Sequence, residues 1–285
     1  MRLCRFATSD GTIHPGLSLD GETVLDLGVY GKSSLEDVLE EEDPLRHVES
    51  LAEHTGLAYR LSDVKLLPPV DRQEIWAAGV TYLRSRSART AESTHDASAY
   101  DRVYAADRPE LFFKAAPHKV VGPGEPIGVR RDSRWTVPEP ELALVINSRG
   151  QVAGCTIGND VSARDIEGEN LLYLPQAKVY DRSCAVGPWI IPGLSEDRAR
   201  SQSIHLTIER AGQPVFQGDS PIANLKRSFA DLARHLFASQ TFPRGAILLT
   251  GTGIVPPDSF SLQPGDIVRI EIPAVGVLIN PTVEV

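Results

Sequence analysis

Two glutamates, Glu139 and Glu141, stand two residues apart where an apolar run begins, in the segment Val137-Pro138-Glu139-Pro140-Glu141-Leu142. Side chains at positions i and i+2 of a strand project from one face, with Cα atoms about 6.5 Å apart, so both carboxylates can reach one ion. Pro140 points away from that face. It cannot donate a ladder hydrogen bond, which favours an edge strand or an irregular site.

A third carboxylate, Asp160, follows in the segment Gly158-Asn159-Asp160-Val161-Ser162-Ala163-Arg164-Asp165. The turn signal Asn147-Ser148-Arg149-Gly150 lies between, and a reversal there returns Asp160 towards the glutamates. Carboxylates without a nearby His or Cys are typical of a hard-cation site, with Mg²⁺ as the first expectation and Mn²⁺ or Ca²⁺ as alternatives. From spacing alone, a solvated strand entrance and an ordinary turn acid explain these residues equally well.

The elements that must position these carboxylates are mostly short β-rich runs separated by turn signals. One helix is predicted from Leu225 to about Ser239, because apolar residues recur there at helical spacing. We therefore expect a mixed α/β, mainly β fold with antiparallel or mixed sheets. The clearest β-rich runs are 141–146, 204–208, 246–249 and 267–272.

The first part of the chain differs in character from the rest. Residues 1 to about 65 predict short strands and then an acidic helix from about Ser34 to Thr55. The paired prolines in Leu66-Leu67-Pro68-Pro69-Val70-Asp71 stop regular structure and predict a linker. We therefore divide the chain into a small N-terminal α/β domain, 1–68, and a metal-binding catalytic domain, 69–285.

Composition and charge limit the possible classes of function. The 285 residues are 41% hydrophobic, which suffices for a large core. The formal net charge is −9 and the 29 basic residues are scattered, which argues against nucleic acid as a partner. No apolar run approaches a membrane span and the start lacks a signal-peptide stretch, so we expect a cytoplasmic protein without a membrane partner. Cys4, Cys155 and Cys184 show no C-x-x-C spacing, which predicts reduced, mostly buried thiols.

Four segments stand in an order and at separations that are specific only in combination: Pro138-Glu139-Pro140-Glu141-Leu142, Gly158–Asp165, Lys178–Trp189 and Leu249-Thr250-Gly251-Thr252-Gly253. Together they resemble the fumarylacetoacetate hydrolase family over most of residues 70–285 and the leading domain. The resemblance implies a fumarylacetoacetase-like β-roll catalytic domain in a homodimer or higher homo-oligomer. It also implies a divalent metal that chelates the carboxylate and keto oxygens of a small-molecule 2-keto acid. Glu139, Glu141 and Asp160 are the metal ligands by this resemblance.

The resemblance also implies roles for single side chains. Lys178 falls where the family carries an active-site lysine, which can bind an anionic oxygen or exchange protons, whereas the alternative is a surface lysine. Thr252 matches the Gly-rich loop that hydrogen-bonds the substrate carboxylate, although a simple strand-end turn fits this short piece nearly as well. Arg164 is expected either to hold Asp160 in place or to form an unrelated surface pair.

One departure from the hydrolytic members bears on the reaction. Those members carry an N-Y-x-x-H-x-x-E-like segment whose His and Glu activate the attacking water. Here the comparable stretch keeps Tyr82 but has Ser85 and Ala88 at the dyad positions. Serine without a partner is a poor general base, and alanine has no proton to exchange. No residue at these two positions can therefore activate the attacking water. His95 and His118 are the nearest substitutes, although each is more typical of an ordinary loop histidine.

Three further pieces, 81–85, 107–114 and 180–184, resemble the branch of the family that dehydrates 2-keto-3-deoxy sugar acids such as 2-keto-3-deoxy-D-arabinonate. In that chemistry a metal on the 2-keto oxygen acidifies the C3 protons, and the metal-chelated enolate expels the C4 hydroxyl. No nucleophilic water is needed. By this resemblance Ser85, Arg84 and Lys114 bind the hydroxyls and carboxylate of the sugar acid.

Three functions follow from these patterns. The leading one is a Mg²⁺-dependent dehydratase, a hydro-lyase that converts a 2-keto-3-deoxy sugar acid such as 2-keto-3-deoxy-D-arabinonate to 2,5-dioxopentanoate. The first alternative is a fumarylacetoacetase- or acylpyruvase-like hydrolase of a C–C bond. The second is a non-catalytic sugar-acid binding protein, and the retained Lys178 argues against it.

Overall fold

A long mixed β-sheet runs through the molecule, and a second sheet and short helices cover its faces. The computed structural model describes residues 1–54, 56–83, 87 and 97–285, with the backbone alone for 97–100. The strands of this part are β1 (Arg2–Ala7), β2 (Ile13–Ser18), β3 (Thr23–Asp26), β4 (Ala58–Arg60), β5 (Lys65–Leu67), β6 (Glu74–Gly79), β7 (Glu110–Ala115), β8 (Val120–Val121), β9 (Ile127–Val129), β10 (Thr136–Val137), β11 (Pro140–Ile146), β12 (Val152–Asp160), β13 (Ser162–Ala163), β14 (Cys184–Pro192), β15 (Ser203–Arg210), β16 (Gln213–Pro221), β17 (Ala246–Leu249), β18 (Ile267–Ile272) and β19 (Gly276–Glu284). Its α-helices are α1 (Glu36–Leu39), α2 (Pro44–Ala52), α3 (Ala97–Ala105), α4 (Arg164–Glu169), α5 (Leu174–Lys178), α6 (Glu196–Arg200) and α7 (Phe229–Leu236).

The strand order of the large sheet is β4-β3-β2-β1-β14-β12-β11-β17-β6-β7, with β5 also on β1 and β8 on β14. A second sheet has the order β16-β15-β18-β19-β9, and β10 pairs with β13. Most neighbours are antiparallel, whereas β17 and β6, β14 and β8, and β19 and β9 are parallel. The prediction of a mainly β fold with mixed sheets is therefore confirmed.

Burial explains why the strands differ in sequence pattern. Every residue of β11 is buried, because both faces of this strand are covered. Leu142 and Leu144 pack with residues of the second sheet, whereas Ala143 and Val145 pack in a core on the opposite face. A strand covered on both faces gives a continuous apolar run. By contrast, β15 and β18 alternate between buried and half-buried positions, as expected of strands with one covered face.

The first 68 residues continue the large sheet. Leu3 of β1 lies opposite Ile190 of β14, and residues of both strands share one core with α1 and α2. The first two residues of the proposed linker, Leu66 and Leu67, belong to β5, which pairs with β1. The boundary between residues 68 and 69 stays a prediction.

Two predicted helices are shorter than expected. The acidic segment forms α1 and α2 as separate helices, because Pro44 occupies the first turn of α2 and Asp43 caps it through the N–H of Arg46. The later helix, α7, starts after Ser228, whose side chain accepts from the N–H of Asp231. In both regions a local cap, and not the apolar spacing, sets the start of the helix.

The three cysteines are buried free thiols, as predicted. Burial raises the pKa of Cys4, Cys155 and Cys184 to about 12. In the described ranges we find no helix whose length and apolarity would let it cross a membrane.

Candidate active site

Three carboxylates meet at one end of the β11–β12 hairpin. Glu139 immediately precedes β11, Glu141 is the second residue of that strand, and Asp160 ends β12. The N–H of Asp160 donates to the carbonyl oxygen of Glu139 at 3.0 Å, which closes the end of the hairpin. One carboxylate oxygen from each side chain lies within 4.8 Å of the others, and the residues are 4%, 1% and 1% exposed. The hairpin therefore assembles the predicted ligand set, which we call the carboxylate triad.

Pro140 occupies the first position of β11, a place that tolerates a residue without an N–H. The strand itself is central, because β12 pairs on one side and β17 on the other. Of the two alternatives expected for Pro140, the edge strand was therefore wrong, whereas the irregular site agrees with the pairing. Pairing with β17 begins only at Ala143, so the backbone beside Pro140 is free of that ladder.

Burying the triad places negative charges close together where little solvent reaches them. The pKa of Glu141 is raised well above its ordinary value, first by the loss of solvation on burial and then by the charges of Asp160 and Glu139. A hard divalent cation removes this repulsion and prefers carboxylate oxygens. The triad therefore fits Mg²⁺, and Glu139, Glu141 and Asp160 are the residues that would hold it.

Lys178 ends helix α5 beside the triad and is buried. Its Nζ lies 2.9 Å from Oε2 of Glu139 and 3.1 Å from Oδ2 of Asp160. The same ammonium donates to Oγ of Ser162 at 2.6 Å. The ring of Phe112 lies 5.6 Å from Nζ on another side. The surface-lysine alternative is therefore excluded.

The triad and Lys178 line one small, largely enclosed cavity. Among the described residues, the cavity lining includes five carboxylates and one ammonium, so its field favours a cation. The lining residues that carry charge are Glu110, Glu139, Glu141, Asp160, Glu167 and Lys178.

The loop after β17 closes this cavity at Gly251. The backbone of Gly251 is left-handed, with φ +94°, and a Cβ atom there would lie 2.0 Å from Oγ1 of Thr81. Oγ1 of Thr81 in turn donates to the carbonyl oxygen of Thr250 at 2.6 Å. Because Gly251 has no side chain, its N–H can reach Oε2 of Glu141 at 2.5 Å.

A second left-handed residue, Val80, lines the cavity at the end of β6, with φ +54°. A β-branched side chain is strained in this region, by about 1–3 kcal/mol, and such strain concentrates at functional sites. The turn at Val80 directs Thr81 towards the loop of Thr250 and Gly251.

Comparison with known proteins identifies the family. The profile of the fumarylacetoacetate (FAA) hydrolase C-terminal family matches residues 74–283. This chain belongs to the fumarylacetoacetate hydrolase family. A probable 2-keto-3-deoxyxylonate dehydratase of Haloferax volcanii is 49% identical over 212 residues, which cover 74% of this chain and 73% of that protein. A 2-dehydro-3-deoxy-D-arabinonate dehydratase of Saccharolobus solfataricus is 39% identical over 259 residues, covering 85% and 87%.

Solved structures agree with this assignment. A 2-keto-3-deoxy-D-arabinonate dehydratase complexed with magnesium and 2,5-dioxopentanoate superposes with a TM-score of 0.84 at 35% identity, over 100% of this chain and 99% of that one. The family fold, including its β-roll, is therefore confirmed, as is the resemblance to the dehydratase branch.

Two basic residues that the family resemblance singled out contact the triad. Nζ of Lys114 lies 2.5 Å from Oδ1 of Asp160, and its side chain is fully buried. Protein atoms enclose this ammonium, and the predicted substrate contact of Lys114 stays a prediction. Nη2 of Arg164 lies 3.0 Å from Oε1 of Glu139, so this arginine holds Glu139 and not the expected Asp160.

The structure describes only some of the other residues that were predicted to act in the site. Thr252 lines the cavity, and its Oγ1 accepts from the N–H of Ile254 at 3.1 Å; its substrate contact stays a prediction. Arg84 and Ser85 lie outside the described residues, as do Ala88 and His95. His118 is exposed and lines a separate open groove, so it does not replace the missing dyad.

Two carboxylates of the cavity, Glu110 and Glu167, were not predicted from the sequence. Glu110 begins β7 opposite Gly79, where a Cβ atom would lie 2.1 Å from its Oε2. Its carboxylate therefore lies over the backbone of β6. The family-like piece 107–114 contained Glu110, but only the pairing of β7 with β6 shows that this residue reaches the cavity. Glu167 lies one helical turn after Arg164 and was not distinguished from a surface acid.

Proposed function

We propose that this protein is a Mg²⁺-dependent hydro-lyase that dehydrates a 2-keto-3-deoxy sugar acid, such as 2-keto-3-deoxy-D-arabinonate, to 2,5-dioxopentanoate. The observation that carries the proposal is the buried triad of Glu139, Glu141 and Asp160 with the ammonium of Lys178 between two of its members. The dehydratase relatives at 49% and 39% identity support the same reaction.

Dehydration needs a proton removed from C3 and a proton delivered to the C4 hydroxyl, which leaves as water. Bound at the triad, Mg²⁺ would polarise the 2-keto group and lower the pKa of the C3 protons. Lys178 is placed to stabilise negative charge on the substrate or to exchange the C3 proton, because its Nζ lies next to Glu139 and Asp160.

Glu110 fills the role of proton donor to the C4 hydroxyl in this proposal. It lines the cavity without belonging to the triad, and a protonated carboxyl can supply a proton to a leaving hydroxyl. Loss of water leaves a 3,4-double bond beside the C5 hydroxyl. Removal of a C5 proton and protonation of C3 shift that double bond to C4 and C5, and the resulting enol gives the 5-aldehyde when its hydroxyl loses a proton and C4 gains one. The N–H and hydroxyl groups of Thr252 are the candidate partners of the substrate carboxylate, because the N–H of Gly251 already donates to Glu141.

Hydrolysis of a C–C bond is the competing reaction. It needs a base that activates water, and the hydrolytic members place a His and a Glu where this chain has Ser85 and Ala88. His118 does not compensate, because it lies in a different groove. Elimination asks only for a proton removed from C3 and a proton delivered to the C4 hydroxyl, and Lys178 and Glu110 carry these transfers in the proposal.

The test offers the purified protein 2-keto-3-deoxypentonates and acylpyruvates, each with Mg²⁺ and with EDTA, and identifies products by mass spectrometry. We expect loss of one water from a 2-keto-3-deoxypentonate with Mg²⁺ only, and acylpyruvates unchanged. Acylpyruvate cleavage without dehydration would establish the hydrolase. Binding of the sugar acid by calorimetry without any turnover would establish the binding protein.

We further propose that the enzyme acts in the cytoplasm on a small molecule and forms a homodimer or higher homo-oligomer. The family resemblance supports the oligomer, and the formal charge of −9 with scattered basic residues argues against nucleic acid. Size-exclusion chromatography with light scattering measures the oligomer, and a monomeric mass at micromolar concentration would contradict it.

A further inference from the structure

Lys114 lies on β7 next to residues that line the active site. Glu110 and Phe112 are two residues apart and share one face of the strand, and the pairing of β7 with β6 shifts register at Lys114. Glu110 and Phe112 line the cavity, whereas Lys114 is the next residue inwards and has 0% of its side chain exposed. Lys114 thus occupies a layer behind the cavity wall.

The ammonium of Lys114 has three N–H donors, and it makes two hydrogen bonds to backbone carbonyls and one ion pair with a carboxylate. It lies 2.5 Å from Oδ1 of Asp160, and it donates to the carbonyl oxygens of Val161 at 3.0 Å and of Lys178 at 2.5 Å. The ring of Tyr180 closes another side, 5.9 Å from Nζ. Two hydrogen bonds and one ion pair therefore surround the ammonium, and its side chain has no exposed surface that a substrate oxygen could contact.

Two of these contacts, with Asp160 and with Lys178, join strand β12 to helix α5, whose separation must stay fixed for the chemistry. Asp160 ends β12 and belongs to the carboxylate triad, whereas Lys178 ends α5 and carries the ammonium next to that triad. The second oxygen of Asp160, Oδ2, lies 3.1 Å from Nζ of Lys178. One buried cation therefore fixes both the carboxylate of Asp160 and the backbone from which Lys178 projects.

A second hydrogen bond supports the same backbone point. Oγ of Ser183 donates to the carbonyl oxygen of Lys178 at 2.9 Å. This carbonyl belongs to the last residue of α5, where helical carbonyls lack partners in the helix. A positive charge at a helix C-terminus is also favourable. Lys114 thus both caps α5 and orients Asp160.

We infer that Lys114 is a positioning residue that sets the orientation of Asp160 and the place of Lys178, and that it does not touch the substrate. The inference concerns the metal site itself, and only its kinetic part rests on the proposed function. Groups that orient metal ligands typically change metal affinity by about 10–100-fold when removed. A substrate-binding lysine would leave that affinity unchanged.

The experiment compares Lys114→Met with the wild type and with Lys65→Met, a control at a lysine that is 61% exposed and paired with Glu125. Calorimetric titration with MgCl₂ alone, without substrate, measures the dissociation constant of Mg²⁺. We expect Lys114→Met to weaken Mg²⁺ binding by at least about tenfold. At saturating Mg²⁺ we expect kcat to fall, with KM changing by less than about threefold.

Unchanged Mg²⁺ affinity together with a raised KM would overturn the inference in favour of substrate binding. Lys114→Gln, which keeps one amide donor, serves if circular dichroism shows Lys114→Met to be unfolded. Failure of both variants to fold would also overturn the inference, because Lys114 would then support the whole fold and not this site. If the wild type binds Mg²⁺ but does not dehydrate the sugar acids, the proposed function fails while the titration still decides the role of Lys114.

Discussion

The backbone N–H of Gly251 donates to Oε2 of Glu141, and this contact joins the loop after β17 to the carboxylate triad. It depends on a left-handed backbone at Gly251 and on the absence of a Cβ atom beside Thr81. The orientation of a candidate metal ligand is therefore set by a residue that has no side chain.

Gly251→Ala should distort this loop and weaken both activity and Mg²⁺ binding. The new Cβ would meet Oγ1 of Thr81 at 2.0 Å and the carbonyl oxygen of Ala78 at 3.0 Å. Left-handed backbone and overpacking together should destabilise the fold by about 2–5 kcal/mol. Urea unfolding measures the stability and calorimetry measures the Mg²⁺ affinity.

Gly265→Ala is the matched control for this substitution. Gly265 has φ +93°, nearly that of Gly251, but nothing lies within 4 Å of a Cβ built there. We expect the left-handed backbone to lower the free energy of unfolding of this variant by only about 1–2 kcal/mol, and we expect Mg²⁺ binding to be normal. Equal losses in both variants would show that the contact with Thr81 is irrelevant to the site.

Removal of the metal should expose the repulsion within the triad. In EDTA we expect Glu141→Gln to be more stable than the wild type near pH 8, because the amide keeps the shape of Glu141 without its charge. Addition of Mg²⁺ at about 100 times its dissociation constant should stabilise the wild type by about 2.7 kcal/mol and leave the variant nearly unchanged. Thermal unfolding followed by circular dichroism measures both effects.

The pH dependence of this difference follows from the direction of the pKa shift. The folded-state pKa of Glu141 is raised, so the folded protein binds this proton more tightly than the unfolded chain. Ionising Glu141 therefore destabilises the metal-free fold as the pH rises through the raised pKa. The Tm difference between Glu141→Gln and the wild type in EDTA should shrink as the pH falls. A difference that grows in acid would contradict the buried, repelled carboxylate.

The sequence identified the residues whose spacing is local. Glu139 and Glu141 share a strand face at i and i+2, and the turn at 147–150 returns Asp160 along the next strand, so one hairpin contains the whole triad. Periodicity also predicted the strands, because burial on one or both faces leaves an alternating or a continuous apolar pattern.

The spacing of residues along the chain could not predict contacts between strands that are distant in sequence. Glu110 reaches the cavity because β7 pairs with β6, and β6 pairs in parallel with β17. Lysine is usually a surface residue. Only the structure, in which the carbonyl oxygens of Val161 and Lys178 accept from its ammonium, shows that Lys114 is buried. Arg164 follows Asp160 closely along the chain, but the start of helix α4 directs it to Glu139.

Lys178→Met should lower kcat by about 10²- to 10⁴-fold, the range typical of proton-transfer groups. The expected reason is loss of the ammonium that lies between Glu139 and Asp160. Steady-state dehydration assays at saturating Mg²⁺ measure the effect. Lys119→Met is the control, because that side chain is 39% exposed and pairs with Asp181. A loss below about threefold would remove Lys178 from the mechanism.

Glu110→Gln should separate the two proton transfers of the proposed reaction. The amide cannot donate an acidic proton to the C4 hydroxyl, so kcat for dehydration should fall by about 10²- to 10⁴-fold. Mg²⁺ affinity should stay within about threefold of the wild-type value, because Glu110 lies outside the triad. Glu125→Gln, at a half-buried carboxylate of the open groove, is the control.

Deuterium exchange decides whether Glu110 acts on the leaving group or elsewhere. In D₂O with Mg²⁺, the Glu110→Gln variant should still exchange the C3 protons of a 2-keto-3-deoxypentonate, because Lys178 and the triad remain in place. Proton NMR would then show loss of the C3 signals while the substrate is not dehydrated. Dehydration at the wild-type rate would exclude Glu110 as the donor, and a parallel loss in Glu167→Gln would assign that role to the other carboxylate of the cavity lining.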